Sequence, residues 1–398
     1  MQPLSEPEKA FITTYLEADP VQVLLRPPVA FLPARIKELV QQLQARQKAR
    51  GKLPHWYANP DLLFPPPLSV EQASSERTAT YKASLVFGST LLDLTGGMGV
   101  DTAAFAGRVA HVTYLEQNPA LADCTAVNLK QLGHQNVTVL SADSLAWLAE
   151  QPFVADWLYL DPARRNGQGR RVAGLADCEP NVLPHLPLLL TRARSILLKA
   201  APLLDIALTL SQLPTARAVH AVAVQGEVKE LLFVLGTVPV PPADVEITAV
   251  NLLPSAPDQF LTYLAGEEAA APVRLADPQT YLYEPNAAIL KAGAFRLVGH
   301  RFGLAKLAPH SHLYTSPELV AGFPGRVFRV EAVCRADRHA LRADLPDGKA
   351  NLTVRNFPEP VAVLRQKLGL REGGNCYIFA TTLQNRDKRL LITYKAVL

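Results

Sequence analysis

From residue 90 the chain alternates short apolar runs with amphipathic stretches, and this rhythm restricts the fold more than any other feature. The runs are Leu91–Leu94, Val112–Leu115, Val137–Leu140, Trp157–Leu160, Ile196–Leu198, Val219–Val224 and Leu231–Leu235. Helix-like segments such as Pro119–Leu132 and Val182–Ala193 lie between them. Near-continuous apolar strands are covered on both faces, and strand–helix alternation winds them into a parallel sheet. Only Gln225–Glu230 joins the last two runs, too short for a helical crossover, so these two are expected to pair antiparallel. The expectation is an α/β fold on a seven-stranded, doubly wound sheet that ends in a hairpin.

At 398 residues the chain is too long for this sheet alone. Residues 1–68 read as helical. Apolar positions recur at helical spacing around Phe11, Tyr15 and Leu16, and again at Ile36, Leu39, Val40 and Leu43, with Pro27 and Pro28 between them. A basic run, Arg46, Lys48, Arg50 and Lys52, is read as a solvated helix face, with phosphate contact as the alternative. Pro239, Pro241 and Pro242 mark a linker. Beyond it the alternation is lost, and residues 243–398 read as two small α+β units, with Asp347-Gly348 and Gly373-Gly374 as turns between strands. Charged residues make up 19%, which suits a soluble globular protein, and a net charge of +4 says little by itself about nucleic acid. Cys124, Cys178, Cys334 and Cys376 form no C-x-x-C pair, so no metal site is expected. No apolar run is long enough to span a bilayer and no signal-peptide core is visible, so a cytoplasmic location is expected.

The first run leads into Asp93-Leu94-Thr95-Gly96-Gly97-Met98-Gly99 and then a helix. Glycines there let the backbone turn sharply beside a ligand at the strands' carboxyl ends. A carboxylate at Asp93, with Asp101 and Thr102 at the helix start, is unsuited to a diphosphate but suits an ammonium group. Glu116 ends the second run, near the spacing at which an acid takes ribose hydroxyls, and Asp143 after the third is placed for an adenine amino group. Singly, Glu116 and Asp143 are equally well read as helix N-caps or loop carboxylates. In register with the glycine loop they resemble the cofactor half of class I S-adenosylmethionine-dependent methyltransferases, over residues 70–238. The resemblance implies the Rossmann-like seven-stranded methyltransferase sheet. It also implies a cofactor site lined by Asp93, Thr95, Gly96, Gly97, Gly99, Glu116, Gln117, Asp143 and Ser144.

Asp161-Pro162-Ala163-Arg164 closes the fourth run, where the reacting methyl belongs, and makes Asp161, Pro162 and Arg164 the candidate catalytic residues. The stretch is similar to the D-P-P-aromatic motif of enzymes that methylate exocyclic base nitrogens, with alanine and arginine at its last two positions. An arginine plane can stack on a base. Arg164, Arg165, Arg170 and Arg171 surround two glycines, a basic loop suited to closing over a polyanion, so Arg165, Arg170 and Arg171 are candidate substrate contacts; a solvated loop is the alternative. Lys82, Asp161, Lys199 and Glu230 come in an order that resembles the Lys–Asp–Lys–Glu set of ribose 2′-O-methyltransferases; ordinary surface pairing is the plainer reading. Cys178 is read as a small apolar residue rather than a nucleophile.

Three stretches of the last third are distinctive: Tyr281–Asn286, Val354–Pro358 and Gly373–Thr382. With Glu71–Glu76 and the glycine loop they make the whole chain resemble a bacterial methyltransferase family that carries a ferredoxin-like insert and a C-terminal THUMP-like domain. The expected layout is a helical region at 1–68, the methyltransferase domain at 69–238, a ferredoxin-like domain at 243–322 and a THUMP-like domain at 323–398. The resemblance implies an RNA substrate, tRNA or rRNA, methylated at a base nitrogen or ribose. Two other readings remain: a small-molecule or protein methyltransferase, and a non-catalytic RNA-binding protein on the same scaffold.

Overall fold

The computed structural model describes residues 3–26, 31–164, 174–345 and 347–396. The chain divides into two compact units, Met1–Ala216 with Leu232–Pro239, and Arg217–Leu231 with Val240–Leu398.

Unit 1 opens with six helices: α1 (Glu6–Thr14), α2 (Pro20–Leu25), α3 (Pro33–Ala49), α4 (Pro54–Ala58), α5 (Pro67–Gln72) and α6 (Glu76–Ser84). The first five have proline in the opening turn, where a missing N–H costs nothing. The alternating body follows as β1 (Thr90–Asp93), α7 (Val100–Ala106), β2 (His111–Glu116), α8 (Pro119–Gln131), β3 (Val137–Ser141), α9 (Ser144–Glu150) and β4 (Ala155–Leu160). Two short strands, β5 (Ala163–Arg164) and β6 (Cys178–Glu179), pair antiparallel before α10 (Val182–Arg192), β7 (Ala193–Ala200) and α11 (Ile206–Gln212). The sheet runs β3-β2-β1-β4-β7, every pair parallel, with Leu232–Leu235 next to β7. Strand order reverses between β1 and β4, and a crevice at such a switch point is where doubly wound sheets bind ligands. Asp93 and Asp161 stand at the carboxyl ends of those two strands.

The N-terminal helices share their core with this sheet. Leu39, Leu43 and Leu63 pack with Cys124 of α8, and Trp56, Phe64 and Val70 pack with Met98 and Val100 around the glycine loop. Asn128 of α8, fully buried, accepts from the Leu63 N–H and donates to the Leu63 carbonyl, each at 2.7 Å. The basic run is only in part the solvated face expected of it: Lys48 and Arg50 are exposed, while Arg46 is buried. Arg46 is 3% exposed and donates to the carbonyls of Tyr57, Asn59 and Leu62. Lys48 pairs with Glu71, Arg50 with Glu17, and Lys52 donates to the Val70 and Glu71 carbonyls. These cations fasten helices to one another, because connections without regular structure leave carbonyls that need donors.

Unit 2 begins in the expected hairpin. The strand β8 (Ala216–Val224) turns at Gln225-Gly226, both with positive φ, into β9 (Glu227–Leu235). The sheet does not end at this hairpin as expected: beside β8 lie two further strands, β10 (Glu246–Leu252), parallel to it, and β11 (Gln259–Leu264), antiparallel to β10, drawn from the residues past the proline linker. After α12 (Ala265–Ala270) comes a second sheet of β12 (Tyr281–Pro285), β13 (Ala305–Lys306), β14 (Tyr314–Ser316), β15 (Gly325–Arg335), β16 (Asn351–Arg355), β17 (Cys376–Thr382) and β18 (Lys388–Lys395). Its order is β13-β14-β12-β15-β18-β17-β16. Helices α13 (Ala287–Ala292), α14 (Leu297–Arg301), α15 (Arg338–Asp344) and α16 (Val361–Leu368) accompany it. Alternation is not lost here: β16, α16 and β17 form a βαβ unit with parallel strands. Asp347-Gly348 and Gly373-Gly374 accordingly connect helices to strands, not strand to strand. Their glycines have φ of 60°, 104° and 80°, a requirement of the turn that says nothing about which elements flank it.

Candidate functional site

The glycine loop is held by partners that explain its composition. A Cβ at Gly96 would lie 2.0 Å from the ring of Tyr114, a fully buried residue of β2, so no side chain fits. Gly99 has φ +80° and its Cβ would meet Thr125 of α8 at 2.4 Å. The Gly97 carbonyl accepts from the Tyr114 hydroxyl at 2.6 Å and from Thr125 Oγ1 at 3.1 Å. The Gly97 N–H donates to Glu116 Oε2 at 3.0 Å, and the other Glu116 oxygen accepts from the Asn118 N–H at 2.8 Å. Glu116 is thus both a loop carboxylate and a group turned toward the glycines. Asp143 is the N-cap of α9, accepting from the N–H groups of Leu145 and Ala146 at 3.0 Å. Ser144 opens that helix, and Gln117 is exposed just past β2.

Two buried carboxylates flank the loop and are driven in opposite directions. Asp93, 1% exposed, accepts from Thr102 Oγ1 at 2.5 Å and from the Thr95 N–H at 3.1 Å. Burial pushes its carboxyl up to about 7, aided by the charges of Asp101 and Asp161 and against the two hydrogen bonds. Burial acts on Asp101 the same way, but there the charges of Lys82 and Lys199, with hydrogen bonds from Tyr159 and Ser74, prevail and hold it below the ordinary carboxylate range. Lys82 of α6 is fully buried, lies 3.3 Å from Asp101 Oδ1 and donates to Ser74 Oγ at 3.0 Å. Ser74 and the Tyr159 hydroxyl each donate to Asp101 Oδ2 at 2.7 Å. This network ties the segment before β1 to the helix behind the loop and to β4.

Past the end of β4, Asp161 is tied both to the glycine loop and to β7. Its N–H donates to Thr95 Oγ1 at 2.6 Å, and its carboxylate pairs with Lys199 of β7. Pro162 is buried and Ala163 exposed. Arg164 pairs in register with Cys178 in the β5–β6 ladder. Cys178 is 5% exposed, as a small apolar residue should be. The candidate substrate residues Arg165, Arg170 and Arg171 lie outside the described residues. Of the lysine set, Lys199 meets Asp161, Lys82 is bound to Asp101, and Glu230 is buried on β9. Among the described residues no three His, Cys, Asp or Glu side chains cluster as metal ligands, and no helix is long and apolar enough to cross a membrane.

The residues not anticipated are Tyr114, Thr125 and Tyr159. A tyrosine inside a buried strand run signals a hydroxyl that needs a partner, so Tyr114 and Tyr159 carried a readable cue, although not the identity of the partner.

Comparison with known proteins agrees with this arrangement. Residues 281–324 match a ferredoxin-like domain model and residues 325–395 a THUMP domain-like model. The crystal structure of a "putative methyltransferase" from Porphyromonas gingivalis W83 superposes with a TM-score of 0.89 at 34% identity, covering 100% of both chains. An uncharacterized S-adenosylmethionine-dependent methyltransferase of Mycobacterium tuberculosis (strain H37Rv) is 25% identical over 343 residues, 84% of this chain and 89% of that one. A 23S rRNA (uracil(1939)-C(5))-methyltransferase of Chromohalobacter salexigens is 33% identical over 96 residues, 24% of this chain and 20% of that one. With its glycine loop, its switch-point carboxylates and a full-length relative of the same architecture, the chain belongs to the S-adenosylmethionine-dependent methyltransferases that carry a ferredoxin-like domain followed by a THUMP-like domain.

Proposed function

We propose that this methyltransferase acts on RNA in the cytoplasm, with Asp161 engaging the acceptor group and the THUMP-like domain recruiting the RNA. The observation that carries the assignment of the reacting end is the Thr95 bridge. One hydroxyl beside the glycine loop receives the N–H of Asp161, so the cofactor loop and the acceptor carboxylate keep a fixed separation. What supports S-adenosylmethionine at the loop is its set of carboxylates: Asp93 suits an ammonium, and Glu116 and Asp143, beyond β2 and β3, suit ribose and adenine. When bound, the cofactor supplies an electrophilic methyl group. Asp161, its direction set by Lys199, accepts a hydrogen bond from the amino or hydroxyl group to be methylated and so aims that group's lone pair. Arg164, Arg165, Arg170 and Arg171 are assigned to the RNA backbone or a stacked base. The THUMP-like match and the partial likeness to an rRNA methyltransferase support RNA over a small molecule or a protein.

The test is transfer of radiolabelled methyl from S-adenosylmethionine to total RNA from a strain lacking the protein. Label in RNA that disappears with Asp161→Ala, while cofactor affinity is kept, is the expected result. Label in protein alone, or full activity in Asp161→Ala, refutes the assignment.

A further inference from the structure

Glu284, in one of the three distinctive C-terminal stretches, is a buried acid that holds two half-exposed arginines. It is the next-to-last residue of β12, directly opposite Arg326 in the ladder. Its side chain is 4% exposed, against 48% for Arg326 and 37% for Arg355. Arg326 donates through Nε at 2.8 Å and through Nη2 to Oε2, and Arg355 Nη2 lies 2.8 Å from Oε1. Glu284 belongs to the ferredoxin-like segment and both arginines to the THUMP-like domain. A tie between the two segments needs only one cation. The second leaves the cluster with a surplus positive charge and with guanidinium donors facing outward.

The hydrogen bonds inside the cluster leave donors over. Arg326 commits Nε and Nη2 to Glu284, while Arg355 commits Nη2 to it and donates through Nη1 to the Val354 carbonyl, so Nη1 of Arg326 and the second N–H of each Arg355 Nη group remain for an acceptor. Guanidinium groups already fixed by a carboxylate can donate their remaining N–H bonds to phosphate oxygens with little loss of side-chain entropy at the moment of binding. We propose that Arg326 and Arg355, oriented by Glu284, form a phosphate clamp through which this unit holds an RNA strand. The clamp rests on the reading of RNA as substrate and names where that RNA is gripped.

Fluorescence anisotropy of a labelled single-stranded RNA dodecamer, titrated with the full chain, tests it. Arg326→Met and Arg355→Met are each expected to weaken binding about tenfold. Each should also lower the slope of log affinity against log salt by about 0.7, the value for one lost single-strand phosphate contact. Glu284→Gln is the decisive variant, because it makes the protein more positive yet should weaken binding by freeing both arginines. Unchanged binding of S-adenosylhomocysteine and unchanged melting temperature show that a variant is folded; Arg326, half exposed, is the variant least able to disturb the fold. Tighter binding in Glu284→Gln, or no loss in Arg326→Met, overturns the clamp. If label enters RNA while dodecamer binding ignores all three variants, the clamp falls and the RNA reading stands. If the dodecamer binds through the clamp but no RNA is labelled, the catalytic reading falls alone. No binding of any RNA by the wild type removes both.

Discussion

Replacing Gly96 by alanine sets one methyl group against the Tyr114 ring. The added carbon would sit 2.0 Å from Cε2 and 2.4 Å from two further ring atoms, well inside contact distance. The ring has nowhere to go, since Tyr114 is fully buried and its hydroxyl is bonded to the Gly97 carbonyl at 2.6 Å. The loop must therefore move, and overpacking of this kind costs about 1–3 kcal/mol. If that displacement is reversed whenever the cofactor binds, affinity falls by about 5- to 150-fold. Gly107 is the matched control. It ends α7 at φ −78°, and a Cβ there meets only the Ala104 carbonyl at 3.5 Å, an ordinary contact. Calorimetric titration with S-adenosylhomocysteine of the wild type, Gly96→Ala and Gly107→Ala decides the matter. Binding by Gly96→Ala within twofold of the wild type would show that the loop is not the cofactor cradle, or that the ring yields freely.

Four other outcomes are expected. With Asp93 near 7 and flanked by Asp101 and Asp161, only about a tenth of it is ionised at pH 6 and about nine tenths at pH 8, so S-adenosylhomocysteine affinity should rise about tenfold across that range and lie flat in Asp93→Asn. The raised value also means that its contribution to folding is full below its unfolded value of 3.8 and lost as pH rises through 7, so Asp93→Asn should gain relative melting temperature at pH 8 over pH 5. Arg46→Met strands three carbonyls and should cost at least about 3 kcal/mol in urea unfolding, while RNA affinity measured below the transition stays unchanged. Thr95→Val deletes the acceptor of the Asp161 N–H; kcat should fall by about tenfold with cofactor affinity nearly intact, and equal losses in both would contradict a bridge that positions Asp161.

Periodicity made the sheet legible. Each of the seven apolar runs is a strand, and the short Gln225–Glu230 link is a hairpin. Backbone requirements were legible too, since Gly96 and Gly99 of the loop occupy positions with no room for a side chain. What pattern does not encode is the distant partner of a polar side chain. Arg46 and Lys48 look alike in sequence, yet one is buried on carbonyls and the other pairs with Glu71. Asp143 meets the requirements of an N-cap and of an adenine contact equally well, because both need a carboxylate at the same strand end. The positive-φ turns near 348 and 373 were visible as turns, but a turn residue reports its own φ and not its neighbours' pairing, which hid the βαβ unit.

Met98 and Val100, on either side of Gly99, are packed from behind by Trp56, Phe64 and Val70. The methyltransferase half is therefore not a module that can be lifted out at residue 69, because the cut would leave the back of its glycine loop facing water. The same packing bears on how natural variants are judged. With the loop as the proposed cofactor site, a change at Trp56, far along the chain from every catalytic candidate, would register in an assay as weakened cofactor affinity and be mistaken for damage to the site itself.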